Sequence, residues 1–158
     1  KTAVLLLNLG GPDCLEAVKP FLFNLFSDKE IIPLGPSFLQ KIFAYFISVI
    51  KTSKTQENYK LIGGSSPLLK ITIQQAISLR NFLREIGDIP VFVGMRYWYP
   101  FIEDSVKKAA ENGIQRIIGL SLYPQYSKAT TGSIIKIFEK SAESYGVEYI
   151  FIRSFYNE

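Results

Sequence analysis

The chain has 158 residues, 47% hydrophobic and 20% charged, enough for one globular domain with its own core. Its 18 basic and 14 acidic residues leave a net charge of +4, too mild to indicate nucleic acid and suited equally to an anionic small ligand or an anionic membrane surface. No histidine and a single cysteine, Cys14, exclude an internal disulfide, a His/Cys metal site built from this chain alone and a histidine general base.

Residues 3–9 form an apolar run of strand length, interrupted only by Asn8, as expected of a parallel strand buried on both faces. Gly10-Gly-Pro12 breaks it. Asp13 and Glu16 have capping-box spacing and open a helix, which Pro20 is expected to kink or divide. Pro36 starts a second helix through Ile50, followed by the polar, basic residues 51–60 and a Gly/Ser/Pro turn at 63–67. Residues 68–86 have helical spacing, closed by Gly87. A second strand at 91–97 precedes Pro100 and a helix over 101–112. A third strand at 116–122, a helix from Thr130 to Tyr145 and a fourth strand at 147–152 complete the chain.

No uninterrupted apolar run reaches the roughly 20 residues of a membrane span. No charged leader with a cleavage site is present, and an intracellular, cytoplasmic setting is the expectation from cysteine usage. Strand–helix alternation predicts an α/β fold: a four-stranded parallel sheet with helices on both faces. Right-handed crossovers place the exits of the strands on one edge, where open α/β sheets bind ligands. The expected surface carries Asn8, Arg96, Tyr97, Tyr123, Tyr126, Ser127, Thr130 and Thr131. Leu9-Gly-Gly-Pro12 lacks dinucleotide-fingerprint spacing. Thr130-Thr-Gly-Ser133 suits either a phosphate or simple capping of its helix. Arg96 suits either a ligand or a surface carboxylate.

Four blocks now stand in order: Leu7-Asn-Leu-Gly-Gly-Pro12; Tyr59 with Ile62-Gly-Gly-Ser-Ser-Pro67; Gly94-Met-Arg-Tyr97 with Pro100; and Tyr123-Pro-Gln-Tyr-Ser127 with Thr130-Thr-Gly-Ser133. Together they resemble the ferrochelatase family, whose members insert ferrous iron into protoporphyrin IX to make haem. The resemblance implies a Rossmann-like, chelatase-type lobe covering residues 1–158, the first of two, with the second lobe absent from this chain. It implies a lyase-class enzyme whose histidine, in a Ser-x-His motif, and glutamate belong to the second lobe. The fragment alone is therefore expected to be inactive.

By the same resemblance Arg96, Tyr97 and Tyr123 are the active-site residues of this lobe. Lys51, Lys54, Tyr59 and Ser66 match in kind the positions holding the porphyrin propionates, and two cations, a phenol and a hydroxyl suit two carboxylates. Tyr126, Ser127 and Thr130 join the porphyrin-binding set. Leu9 stands where some relatives carry Tyr or Met; it cannot ligate a metal but can shape the cleft wall. Lys128 replaces a cysteine that binds an iron–sulfur cluster in some relatives, so no cofactor and no metal ligand are expected here. Porphyrin and ferrous iron are substrates. A non-catalytic α/β module binding a flat anionic ligand is the alternative.

Phe38, Leu39, Ile42, Phe43, Phe46, Ile47 and Ile50 follow helical spacing, and Tyr45 and Val49 widen the apolar arc. Such a helix either touches a membrane peripherally at the cleft mouth, with Lys41, Lys51 and Lys54 toward anionic headgroups, or packs against the second lobe.

Overall fold

The structure is a computed structural model that describes residues 1–123 and 126–153. Pro124 and Gln125 of the tyrosine loop, the Lys128 side chain and residues 154–158 lie outside it.

Four parallel strands form one sheet in the order β2-β1-β3-β4: β1 Thr2–Asn8, β2 Val91–Met95, β3 Arg116–Ser121 and β4 Glu148–Ile152. In register, Leu7 lies beside Gly94 of β2 and Ser121 of β3, so all three strands end together. Winding goes first from β1 to β2 on one side and then to β3 on the other. The resulting reversal puts a crevice beyond the carboxyl ends of these strands.

The apolar run in β1 is explained by burial on both sides. Ala3, Leu5 and Leu7 pack with Ile102 and Val106 of α4 (Ile102–Glu111) and Ile134 and Phe138 of α5 (Ser133–Ser144). Val4 and Leu6 pack instead against Ala76 of α3 (Leu68–Leu83). Each buried leucine contributes about 1.5–3 kcal/mol. The expected parallel α/β sheet with helices on both faces is observed.

A third apolar cluster lies apart from these two. Val18, Phe21, Leu22 and Phe26 of α1 (Val18–Ser27) pack with Ala44 of α2 (Gln40–Lys60) and with Tyr97, just past β2. The helix pair therefore docks where the crevice opens.

Local sequence signals fail at instructive places. Asp13 caps no helix; α1 begins at Val18 without a side-chain cap, and the Asp13 carboxylate instead accepts the Trp98 indole N–H at 3.0 Å. Pro20 neither kinks nor divides α1, because it sits in the first turn, where a backbone N–H has no helical partner to lose. Pro36 likewise precedes rather than starts α2. That helix begins at Gln40, whose buried side chain bonds the Phe26 and Ile32 carbonyls and the Leu34 N–H. Its C-terminal end runs through the polar stretch to Lys60, held by Gln56 Nε2 on the Leu15 carbonyl at 2.8 Å. The last helix is preceded by a π-helical turn, Lys128–Gly132.

Candidate functional site

The β1 exit brings its neighbours into place through backbone bonds. The Arg96 and Tyr97 N–H groups donate to the Asn8 and Leu9 carbonyls at 3.0 and 2.9 Å, extending the β1–β2 ladder beyond the strands. Leu122 N–H donates to the Leu7 carbonyl at 2.9 Å from the other side. Asn8 is fixed as well: its amide donates to Thr72 Oγ1 at 3.2 Å and its Oδ1 accepts the Leu9 N–H at 2.8 Å. Leu9, Tyr97 and Tyr59 share the α1–α2 apolar cluster.

Arg96 and Tyr97 converge on a residue that the strand pattern does not single out, Asp28 at the end of α1. Arg96 Nη2 and the Tyr97 hydroxyl donate to Asp28 Oδ2 at 2.8 and 2.7 Å, and Ser133 Oγ donates to the same oxygen at 2.5 Å. Arg96 Nε donates to Ser133 Oγ at 2.8 Å, and its guanidinium lies 4.7 Å from the Tyr97 ring centroid. The Asp28 side chain is 7% exposed and that of Arg96 is 19% exposed. Burial alone would raise the Asp28 carboxyl pKa. Hydrogen bonds from Ser133, Tyr97 and the Glu30 N–H, with the Arg96 charge, outweigh it and hold the group below its ordinary value. Asp28 is thus an ionised, fully coordinated anion. Tyr97 is 1% exposed, so its phenol is committed to Asp28 rather than free. Burial, first, and the neighbouring carboxylate raise the Tyr97 pKa far above the usual phenol range.

Arg96 and Asp28 border a cleft of about 380 Å³ that Asn24, Ser27, Lys29 and Lys41 also line. The Tyr59 phenol and Ser66 hydroxyl form a second focus at the β1 exit. A Cβ on Gly11 would lie 2.5 Å from Ser66 Oγ, a clash, and 3.8 Å from Tyr59 Oη, an ordinary contact, so only glycine leaves the Ser66 hydroxyl room beside Tyr59. Ser66 also borders a hollow of about 410 Å³ with Asp13 and Lys70.

Of the remaining expected residues, Tyr123 is half-buried against the α4–α5 face of the sheet, and burial pushes its pKa up to about 12. Ser127 and Thr130 satisfy each other: their hydroxyls are 2.7 Å apart and Ser127 Oγ accepts the Thr130 N–H at 3.2 Å. That is the capping role. Tyr126, Lys51 and Lys54 are exposed, and neither lysine makes an ion pair among the described residues. Lys51, Thr55 and Tyr59 succeed one another at i, i+4 spacing along α2, with Lys54 on the adjoining line. The structure therefore joins Arg96 with Tyr97, and Tyr59 with Ser66. Tyr123 stands on the β3 side of the crevice. Sequence reading missed Asp28, and it treated Ser133 only as part of a helix-start motif suited to a phosphate or to capping. The one available signal for Asp28 was an acidic residue ending an apolar helix.

Fold and site define an open α/β domain with a crevice at the carboxyl edge of its sheet, bordered by phenols, hydroxyls and cations. A family model for ferrochelatase matches residues 1–158, and the chain belongs to the ferrochelatase family. The ferrochelatase of Gloeothece citriformis is 49% identical over 99% of this chain and 42% of its own length. That of Gloeobacter violaceus is 48% identical over 99% of the chain and 50% of its own length. That of Synechococcus elongatus is 50% identical over 89% of the chain and 36% of its own length. The chain thus spans half or less of the curated relatives it matches here.

Proposed function

We propose that this chain is the first, porphyrin-gripping lobe of a two-lobed enzyme that inserts ferrous iron into protoporphyrin. The observation supporting this most strongly is the family match over all 158 residues. The site adds a chemical reason. Insertion exchanges two pyrrole N–H protons for one Fe²⁺, and the nitrogen lone pairs must turn out of the macrocycle plane to meet the metal. A wall complementary to the distorted macrocycle lowers that barrier by differential binding. Tyr59 and Ser66 beside Gly11, with Lys51 and Lys54 on the same helix as Tyr59, suit a propionate grip. Leu9, Tyr126, Ser127 and Thr130 border the crevice mouth, while Arg96 and Tyr123 face the macrocycle as the reactive wall of this lobe and Tyr97, buried with its phenol on Asp28, backs Arg96.

This lobe binds and shapes rather than deprotonates. Tyr97 and Tyr123 stay protonated at neutral pH, as any phenol does, and burial raises both further from it; the chain contains no histidine. The proton acceptor and metal path belong to the second lobe, and iron is a substrate. α2 provides peripheral membrane contact beside the cleft.

Anaerobic assay of the full-length protein with ferrous iron and protoporphyrin, read by the haem Soret band, tests this reading. Turnover is expected from the full-length protein, and none above the uncatalysed rate from the isolated chain. Turnover by the isolated chain would refute the division of labour. A full-length protein that binds porphyrin without turnover would leave the binding module as the better account.

A further inference from the structure

Asp28 lies 68 residues from Arg96 in sequence yet accepts four hydrogen bonds. Arg96, Tyr97 and Ser133 occupy one oxygen, and the Glu30 N–H donates to the other at 2.9 Å. Only an ionised carboxylate has acceptor sites for all four. An amide in its place would turn an N–H₂ either toward three donors or toward the Glu30 N–H. Ser133 is equally constrained: its hydroxyl takes the Arg96 Nε–H and passes its own proton to Asp28. The guanidinium is therefore held at two nitrogens while its plane lies over the Tyr97 ring. A second tie runs alongside, from Lys136 of α5 to Glu30. Long side chains at a strand exit have many rotamers, and this network leaves Arg96 and Tyr97 one arrangement.

We infer that Asp28 and Ser133 are positioning residues for iron insertion, fixing Arg96 and Tyr97 at the crevice and acting through them without touching substrate. The inference rests on the ferrochelatase reading. Misplacement of a reactive wall by a fraction of an ångström lowers the rate without removing binding, so kcat should carry the effect and KM should not.

The test uses the full-length protein with ferrous iron and protoporphyrin. Asp28→Asn is expected to lower kcat roughly 10- to 100-fold with KM for porphyrin little changed, and Ser133→Ala to lower it by about 10-fold. Asp28→Asn added to Arg96→Leu should cost less than it does alone, since part of its effect passes through Arg96. If Asp28→Asn does not fold, Ser133→Ala decides by the same kcat-to-KM ratio. A kcat within about twofold of wild type for the folded variants, or full additivity with Arg96→Leu, would overturn the positioning role. An inactive wild-type protein would overturn the enzymatic reading and this inference with it, a result distinct from active wild type with unaffected variants.

Discussion

At Gly11 the absence of a side chain is what leaves room for the Ser66 hydroxyl. Ser66 cannot retreat easily, because its N–H donates to the Pro12 carbonyl at 2.7 Å and its Oγ accepts the Leu68 N–H at the start of α3. Gly11→Ala is therefore expected to destabilise the protein by about 1–3 kcal/mol, the usual range for forced overpacking. If the proposed propionate grip holds, it should also weaken porphyrin binding, because the Ser66 hydroxyl is displaced. Thermal melts and porphyrin fluorescence quenching check both effects; unchanged affinity would separate Ser66 from the propionates. Residues of this kind were partly legible in the sequence. Arg96, Tyr97 and Tyr123 stand at strand exits, and β periodicity with parallel topology suffices to bring them to one edge. Asp28 was not legible, because its importance arises from tertiary docking of α1 on the end of β2.

Among the elements, α2 has its polarity inverted relative to an ordinary surface helix. Its buried positions are Gln40, Ala44 and Ser48, whereas Phe43, Phe46 and Ile50 are 40%, 59% and 78% exposed. Sequence periodicity identified the helix and an apolar arc that this lobe does not bury, but gave the wrong start and end, because hydrogen bonds from Gln40 and Gln56 rather than apolar residues hold its two ends. No described helix is long and apolar enough to cross a membrane. An exposed apolar face flanked by Lys41, Lys51 and Lys54 suits shallow contact with anionic lipid. Changing both Phe43 and Phe46 to Ser should reduce binding of the full-length protein to anionic vesicles by about 10-fold or more, since each buried ring contributes about 1.5–3 kcal/mol. Vesicle co-sedimentation measures this. Equal sedimentation with a lowered melting temperature would assign the face to the second lobe.

For the molecule as a whole, the Asp28 cluster joins parts that the apolar cores leave separate. The two sheet-face cores stabilise β1 to β4 with α3, α4 and α5, whereas α1 and α2 form their own cluster, in which Tyr97 supplies a strand-exit residue. Asp28 at the end of α1 bonds Arg96 and Tyr97 beyond β2 and Ser133 at the start of α5, tying this helix pair to the sheet. The tie depends on charge, which fixes the sign of its pH dependence. The folded carboxyl pKa lies below the ordinary 3.8, so its stabilisation is fully present above that value and is lost as pH falls through the folded pKa. Removing the charge leaves Arg96 buried without its partner, and breaking such a pair costs about 3–5 kcal/mol. Asp28→Asn should therefore be less stable than wild type by a constant margin from about pH 5 to 8, and that margin should shrink below about pH 4. Comparing urea midpoints of the two proteins across this range isolates Asp28, because the other carboxylates titrate in both. A margin that persisted undiminished in acid would assign the loss to side-chain shape rather than charge.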